Sequence, residues 1–150
     1  MTSTAYFYGH SVVQAFLGNI KFTDGNVKVA LCTADYAPDQ DAHTFFSDIT
    51  NEVSSTGTGY TAGGKVITSP NITYDTNNIA IFDCDDVIWT TSTIEARYAI
   101  IYYYTGDNTT SPLLAYYDFG ANQNSSAADF QLRFNANGIL RITISGPTIN

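Results

Sequence analysis

The sequence predicts an all-β fold, an antiparallel, jelly-roll-like β-sandwich of about eight strands with one or two short helices, and three observations carry that prediction. Eight short runs of β-branched and aromatic residues follow one another along the chain. Each is closed by Gly, Asn, Asp or Pro, the residues that turn a backbone. Charged residues make up only 13% of the sequence, about half the usual share. Thr, Ser and Asn supply the polar character instead, which suits strands whose outer face is hydroxyl and amide.

Taken in order, the first element is helical. "GHSVVQAFLG" sets Val12, Val13, Phe16 and Leu17 at helical spacing, with Ser11 as the N-cap and Gly18 as the stop. "TDGN" at 23–26 is a tight turn into the strand "NVKVALCT". A second short helical turn is expected in "PDQDAHTFF", capped by Asp39 or Asp41. "KVITSPNITY" is extended but broken at Pro70, which cannot donate within a central ladder. "NNIAIFD" and "DVIWT" follow as strands. "EARYAIIYYYTG" places Tyr98, Ile100, Tyr102 and Tyr104 on one face and Ala99, Ile101 and Tyr103 on the other. Both faces are apolar, so this is a central strand. After the strand "PLLAYYDFG", residues 120–129, "GANQNSSAAD", are small and polar enough for a mobile surface loop. "NANG" at 135–138 then joins "ADFQLRFNA" to "GILRITIS" as a hairpin turn. A chain of 150 residues suffices for one core, so a single sandwich domain over 1–150 is expected.

Charge and cysteine usage exclude several function classes. The formal charge is −8, and the six basic residues, Lys21, Lys28, Lys65, Arg97, Arg133 and Arg141, are scattered. Direct binding to nucleic acid is therefore not expected, because phosphate neutralisation needs clustered cations. Cys32 and Cys84 lie in or beside apolar runs, the setting of buried reduced thiols, and a disulfide between them stays open. Their spacing does not make a zinc site. "MTSTAYFYGHSVVQAFLG" has neither a basic n-region nor a long apolar core, so neither a secretory signal nor a membrane span is expected. Synthesis in a cytoplasm follows from that reading.

The densest chemistry lies in "DAHTFFSDITNEVSSTGTGYTAGGKV", residues 41–66. Its glycines lack the Lys-Ser/Thr of a P-loop and the spacing of a dinucleotide fingerprint. A strand rather than a phosphate-holding helix follows them. The block reads as a short helix, a strand and a glycine turn: Phe45 and Phe46 pin it to the core, and Gly59, Gly63 and Gly64 turn it with positive φ. His43 stands near Asp39, Asp41, Ser47 and Asp48, but no Gly-x-Ser-x-Gly elbow accompanies it, and a surface or capping histidine is expected. "DCDD" at 83–86 and "DYAPDQD" offer oxygens to calcium without the Gly and terminal Glu of an EF-hand, so solvated turn carboxylates are expected. The many tyrosines can stack on sugars, yet at strand positions they fill a core or a subunit interface. No catalytic, cofactor-binding or metal-binding residue is assigned, and the chain is expected not to be an enzyme.

Residues 36–64 read "YAPDQDAHTFFSDITNEVSSTGTGYTAGG", and "DDVIWTTSTIEARYAIIYYYTG", "SPLLAYYDFG" and "NGILRITI" follow. With these blocks, after an N-terminal helix and the strand "NVKVALCT", the chain resembles over nearly its whole length a family of small virion-associated proteins encoded by tailed bacteriophages and prophages. The resemblance implies a non-enzymatic structural protein, a head decoration or cement protein that binds the outer capsid lattice and stabilises it. It implies a compact β-sandwich, synthesis in the infected bacterial cytoplasm and residence on the capsid surface. Its partners would be the phage major capsid protein and further copies of itself, as a dimer or trimer, with no cofactor, no nucleic acid and no membrane. The alternative is a neck- or tail-associated structural or carbohydrate-binding module. The extra Ser-Thr in "NEVSSTGTGYTAGG" and the tyrosine-rich "YAIIYYYTG" depart from the family pattern and imply contacts specific to this particle.

Overall fold

The computed structural model describes residues 3–146. In chain order it contains β1 (Thr4–Phe7), α1 (Ser11–Phe16), β2 (Val27–Cys32), one 3-10 turn (Phe46–Asp48), β3 (Lys65–Val66), β4 (Asn71–Tyr74), β5 (Ile79–Asp83), β6 (Val87–Ser92), β7 (Glu95–Tyr103), β8 (Leu113–Asn124), β9 (Ala128–Leu132) and β10 (Leu140–Thr143). All strand pairs are antiparallel. The largest sheet has the order β1-β8-β7-β2-β3, a second has β10-β5-β4, and β6 pairs with β9 alone. The predicted all-β antiparallel class holds, with ten strands partitioned five, three and two where about eight were expected. No helix among the described residues is long and apolar enough to cross a membrane.

The middle strand of the large sheet is β7, and its two apolar faces have separate destinations. Ala99 and Ile101 point into a core with Val27, Val29 and Leu31 of β2, onto which Trp89 of β6, Phe130 of β9 and Leu140 of β10 pack. Ile100 and Tyr102 point the other way, into a smaller core with Ala30, Cys32, Leu113 and Tyr116. That second face is covered by Tyr8, Tyr36 and Phe46 rather than by strands. A sheet buried on both sides needs apolar residues at every position of its central strand, which is why period-2 alternation is missing there.

Three local expectations are corrected. Residues 120–124 belong to β8, with Asn124 opposite Glu95 and Gln123 opposite Ala96, so "GANQNSSAAD" is a strand end and turn and not a mobile loop. Ladder bonds come from the backbone, and an exposed strand end accepts small polar side chains. "NANG" does not close a hairpin: β9 pairs with β6 and β10 with β5, so the turn carries the chain from one sheet to another. "KVITSPNITY" breaks at Pro70 as expected, but its halves part company, β3 joining β2 and β4 joining β5. β1, read as no element in the sequence, is a four-residue edge strand on β8.

Candidate functional site

The block at 36–64 covers the second face of the large sheet with Tyr36 and Phe46 and sends Val53 and Tyr60 into the core on the first face. Phe46 is buried and stacks on Tyr102, ring centroids 4.0 Å apart. Phe45 does not reach either core: it is half-buried, and its backbone bridges Pro112. The side chains of successive residues in an irregular segment diverge, so only one of the pair is the pin. The expected helix is a single 3-10 turn, and the expected strand after it reduces to one bridge between Glu52 and Cys32. Asp39 caps the separate turn at 40–42, its Oδ1 accepting the N–H groups of Asp41 (3.0 Å) and Ala42 (2.9 Å), and not the 3-10 turn, whose cap position is Phe45.

Glu52 and Tyr102 fix the glycine turn. Glu52 Oε1 accepts from the Tyr60 hydroxyl and from the Gly63 N–H, both at 2.6 Å, while the Tyr102 hydroxyl donates to the Gly63 carbonyl at 2.7 Å. Gly59, Gly63 and Gly64 all take positive φ. Gly64 is the tightest: a Cβ there would lie 1.9 Å from the Val29 carbonyl oxygen, where nothing but hydrogen fits. The loop is therefore a structural strap over β2 and β7, and its carboxylate and tyrosines are consumed in holding it.

Several of the other sequence candidates are likewise spent on the fold. Tyr8 and Tyr36 hydroxyls bond at 2.8 Å, and Tyr36 bonds in turn to His43 Nδ1 at 2.8 Å. Burial raises the pKa of both tyrosines, so the chain of hydroxyls stays protonated. Asp48 does not serve His43; its Oδ2 accepts the N–H groups of Thr44 (2.8 Å) and Phe45 (2.9 Å). Burial opposes its ionisation, but those two donors win and hold the carboxyl below its usual range. Ser47 is exposed, and His10 lies at the start of α1. In "DCDD", Asp83 accepts from the Cys84 N–H, Asp85 from the Thr68 and Ser69 hydroxyls and Asp86 from the Phe134 N–H. Among the described residues no three His, Cys, Asp or Glu side chains gather as metal ligands would. Cys32 and Cys84 are both free, and burial pushes each thiol up to about 12.

The feature that sequence reasoning missed is the orientation of α1. Its apolar residues point outward: Phe16 is 90% exposed and Leu17 67%, with Val12 and Val13 each about half exposed. An amphipathic helix ordinarily turns that stripe to the core. Here the buried residue is Ser11, which is the first helical residue and not the N-cap; His10 occupies the cap position with no side-chain bond. The stop is as expected. Gly18 donates to the Ala15 carbonyl and Asn19 to the Gln14 carbonyl, a Schellman closure that ends the helix after little more than one turn.

Beside α1 opens an apolar cleft of about 160 Å³, lined by Val12, Ala15, Ile20, Ile72, Phe82 and Ile142 among others. The buried Ser11 Oγ, without a partner among the described residues, sits at its wall. Val12 of α1 and Ile72 of β4 both line the cleft and are both half exposed, and Tyr74 of β4 is exposed as well. Only one signal in the sequence hinted at this: "SVVQAF" carries no charge on any face. Comparison of the chain with protein-family models, with curated proteins and with solved structures finds no match in any of the three.

Proposed function

We propose that this chain is a non-enzymatic structural protein of a bacteriophage particle, a head decoration or cement subunit that docks on the outer capsid lattice through α1 and the adjoining cleft. The observation that carries the reading is the outward apolar face of α1. A surface that exposes Phe16, Leu17, Val12, Val13 and Ile72 together marks an interaction site. The occupant is a shell protein, as the resemblance of the sequence blocks to virion-associated proteins implies. Burying each such side chain contributes about 1.5–3 kcal/mol. One docking event of that size is modest, but protomers clustered as dimers or trimers at lattice points multiply it. The net charge of −8 steers the protein toward a basic patch on the shell and away from the packaged genome.

The polar groups of the 36–64 block favour the non-enzymatic reading, because His43, Asp48 and Glu52 are each bonded to the backbone or to tyrosine. The test is co-sedimentation of purified protein with particles that lack it. Phe16→Asp and Leu17→Asp are expected to keep the thermal melting temperature and to lose binding by tenfold or more, about 1.4 kcal/mol or above. Undiminished binding of both variants would remove α1 from the interface.

A further inference from the structure

The fold brings together two cations that the sequence separates. Arg133 follows β9, Arg141 lies in β10, and both line a recess of about 400 Å³ beside the turn at 135–138. Three of the other four basic side chains have partners of their own. Arg97 Nε is 2.6 Å from Asp118 Oδ1, Lys65 Nζ donates to the Ile88 carbonyl at 2.5 Å, and Lys28 sits 4.2 Å from the Tyr104 ring centroid. Lys21 makes no ion pair and no side-chain hydrogen bond among the described residues; its charge is a minor influence on the Asp24 carboxyl, which is held low first by the Tyr103 hydroxyl. Arg133 and Arg141 make no ion pair and no side-chain hydrogen bond among the described residues. Asp75, the acid that senses Arg141, spends its Oδ1 on the N–H groups of Asn77 and Ile79, each at 2.9 Å.

The recess also carries neutral donors and acceptors on a fixed floor. Asn135 Oδ1 accepts the Asn137 N–H at 2.9 Å, which leaves the Asn135 amide nitrogen unused. The Asn137 side chain has no partner among the described residues. Underneath, the Tyr117 hydroxyl donates to the Ile139 carbonyl, and the Ile139 N–H donates to the Phe82 carbonyl at 2.8 Å. Two guanidinium forks match a planar carboxylate, while carboxamides bond equally well to alcohols. The two guanidiniums are the charged groups that line this recess, while Asp83, Asp85 and Asp86 line the neighbouring cleft that shares Asn135, a setting that admits a small anion and repels a polyanion.

We propose that this recess is a binding site for an acidic sugar, a uronate-type ring whose carboxylate is taken by Arg133 and Arg141 and whose hydroxyls bond to Asn135 and Asn137. The volume lies in the range of small-ligand sites. A bare inorganic anion would use the arginines and leave the carboxamides idle.

The test is titration of the full chain with glucuronate, glucose and inorganic phosphate at constant ionic strength, read by NMR shifts of backbone amides 133–141. Glucuronate is expected to give saturable shifts there, glucose none, and phosphate weaker ones. Arg133→Gln and Arg141→Gln, both exposed, are expected to keep the melting temperature and to weaken glucuronate by about tenfold each, the scale of a lost charged hydrogen bond. Asn137→Ala is expected to weaken glucuronate and leave phosphate unchanged. Absent shifts, equal response to glucose, or phosphate binding as tight as glucuronate with Asn137→Ala silent would each overturn the proposal.

Discussion

At the residue scale, Gly57 and Gly64 separate two effects that glycine usually confounds. Both have positive φ, but a Cβ at Gly57 meets nothing within 4 Å, whereas one at Gly64 collides with the Val29 carbonyl. Gly57→Ala should therefore cost only the left-handed penalty, about 1–2 kcal/mol. Gly64→Ala should cost at least about 3 kcal/mol, because β2 must move away from the strap. Urea denaturation of the two variants measures the difference; equal losses would mean that backbone conformation alone demands glycine. Phe45 and Phe46 offer a similar contrast. Phe46→Ala should cost about 3–5 kcal/mol as it vacates the stack on Tyr102, and Phe45→Ala should cost less than half of that. Sequence alone marked both phenylalanines and all three glycines, since residue type restricts what a turn can do. It did not distinguish Phe45 from Phe46, because an irregular segment has no period from which to read direction.

Elements were legible where burial imposed a pattern and obscure where it did not. The doubly apolar run at 98–104 identified the central strand, and β7 is the middle of the five-stranded sheet. Residues 120–124 carry no such pattern because they pair at an exposed end, and "NANG" is a tight turn whose flanking strands happen to enter different sheets. Partner choice is a property of the whole topology, not of the turn. Helix α1 is the instructive failure. Spacing located it and Gly18 ended it, yet spacing cannot say which way a stripe faces. A six-residue helix is far below the length that is stable by itself in water, so it persists through its closure and the contacts beneath Ser11. Replacing Ser11 by Ala should be neutral or mildly stabilising, by up to about 1 kcal/mol, because its buried hydroxyl has no partner among the described residues. Thermal melting decides this, and a marked loss would mean that the hydroxyl is bonded.

For the whole molecule, hydrogen-bonded carboxylates outside the cores and buried hydroxyls and a thiol within them set how stability responds to pH. Backbone N–H groups hold the Asp39 and Asp75 carboxyls below their usual range, and Arg97 does the same for Asp118. Their folded pKa values lie below the unfolded value of about 3.9, so their contribution is present above about pH 4 and is lost as pH falls through the folded values. Burial acts in the opposite direction on Tyr8, Tyr60, Tyr102 and Cys32, raising each; the Cys32 thiol is pushed up to about 12. Their contribution is complete below the unfolded values, about 8.5 for the thiol and 10 for the phenols, and is lost as pH rises through the folded ones. Melting temperature should therefore be flat between about pH 5 and 8 and fall on both sides, and a steady rise into alkaline pH would contradict the burial of those hydroxyls.

The central claim, that this is a shell-binding structural subunit, concerns numbers of molecules, and the most direct measurement is the copy number of the protein relative to the major capsid protein in purified particles, by quantitative mass spectrometry. A copy number that is a simple fraction of the capsid count is the predicted result, since a lattice offers one equivalent site per symmetry position. A handful of copies per particle, or none, would contradict it and move the protein to the neck or tail, or out of the virion.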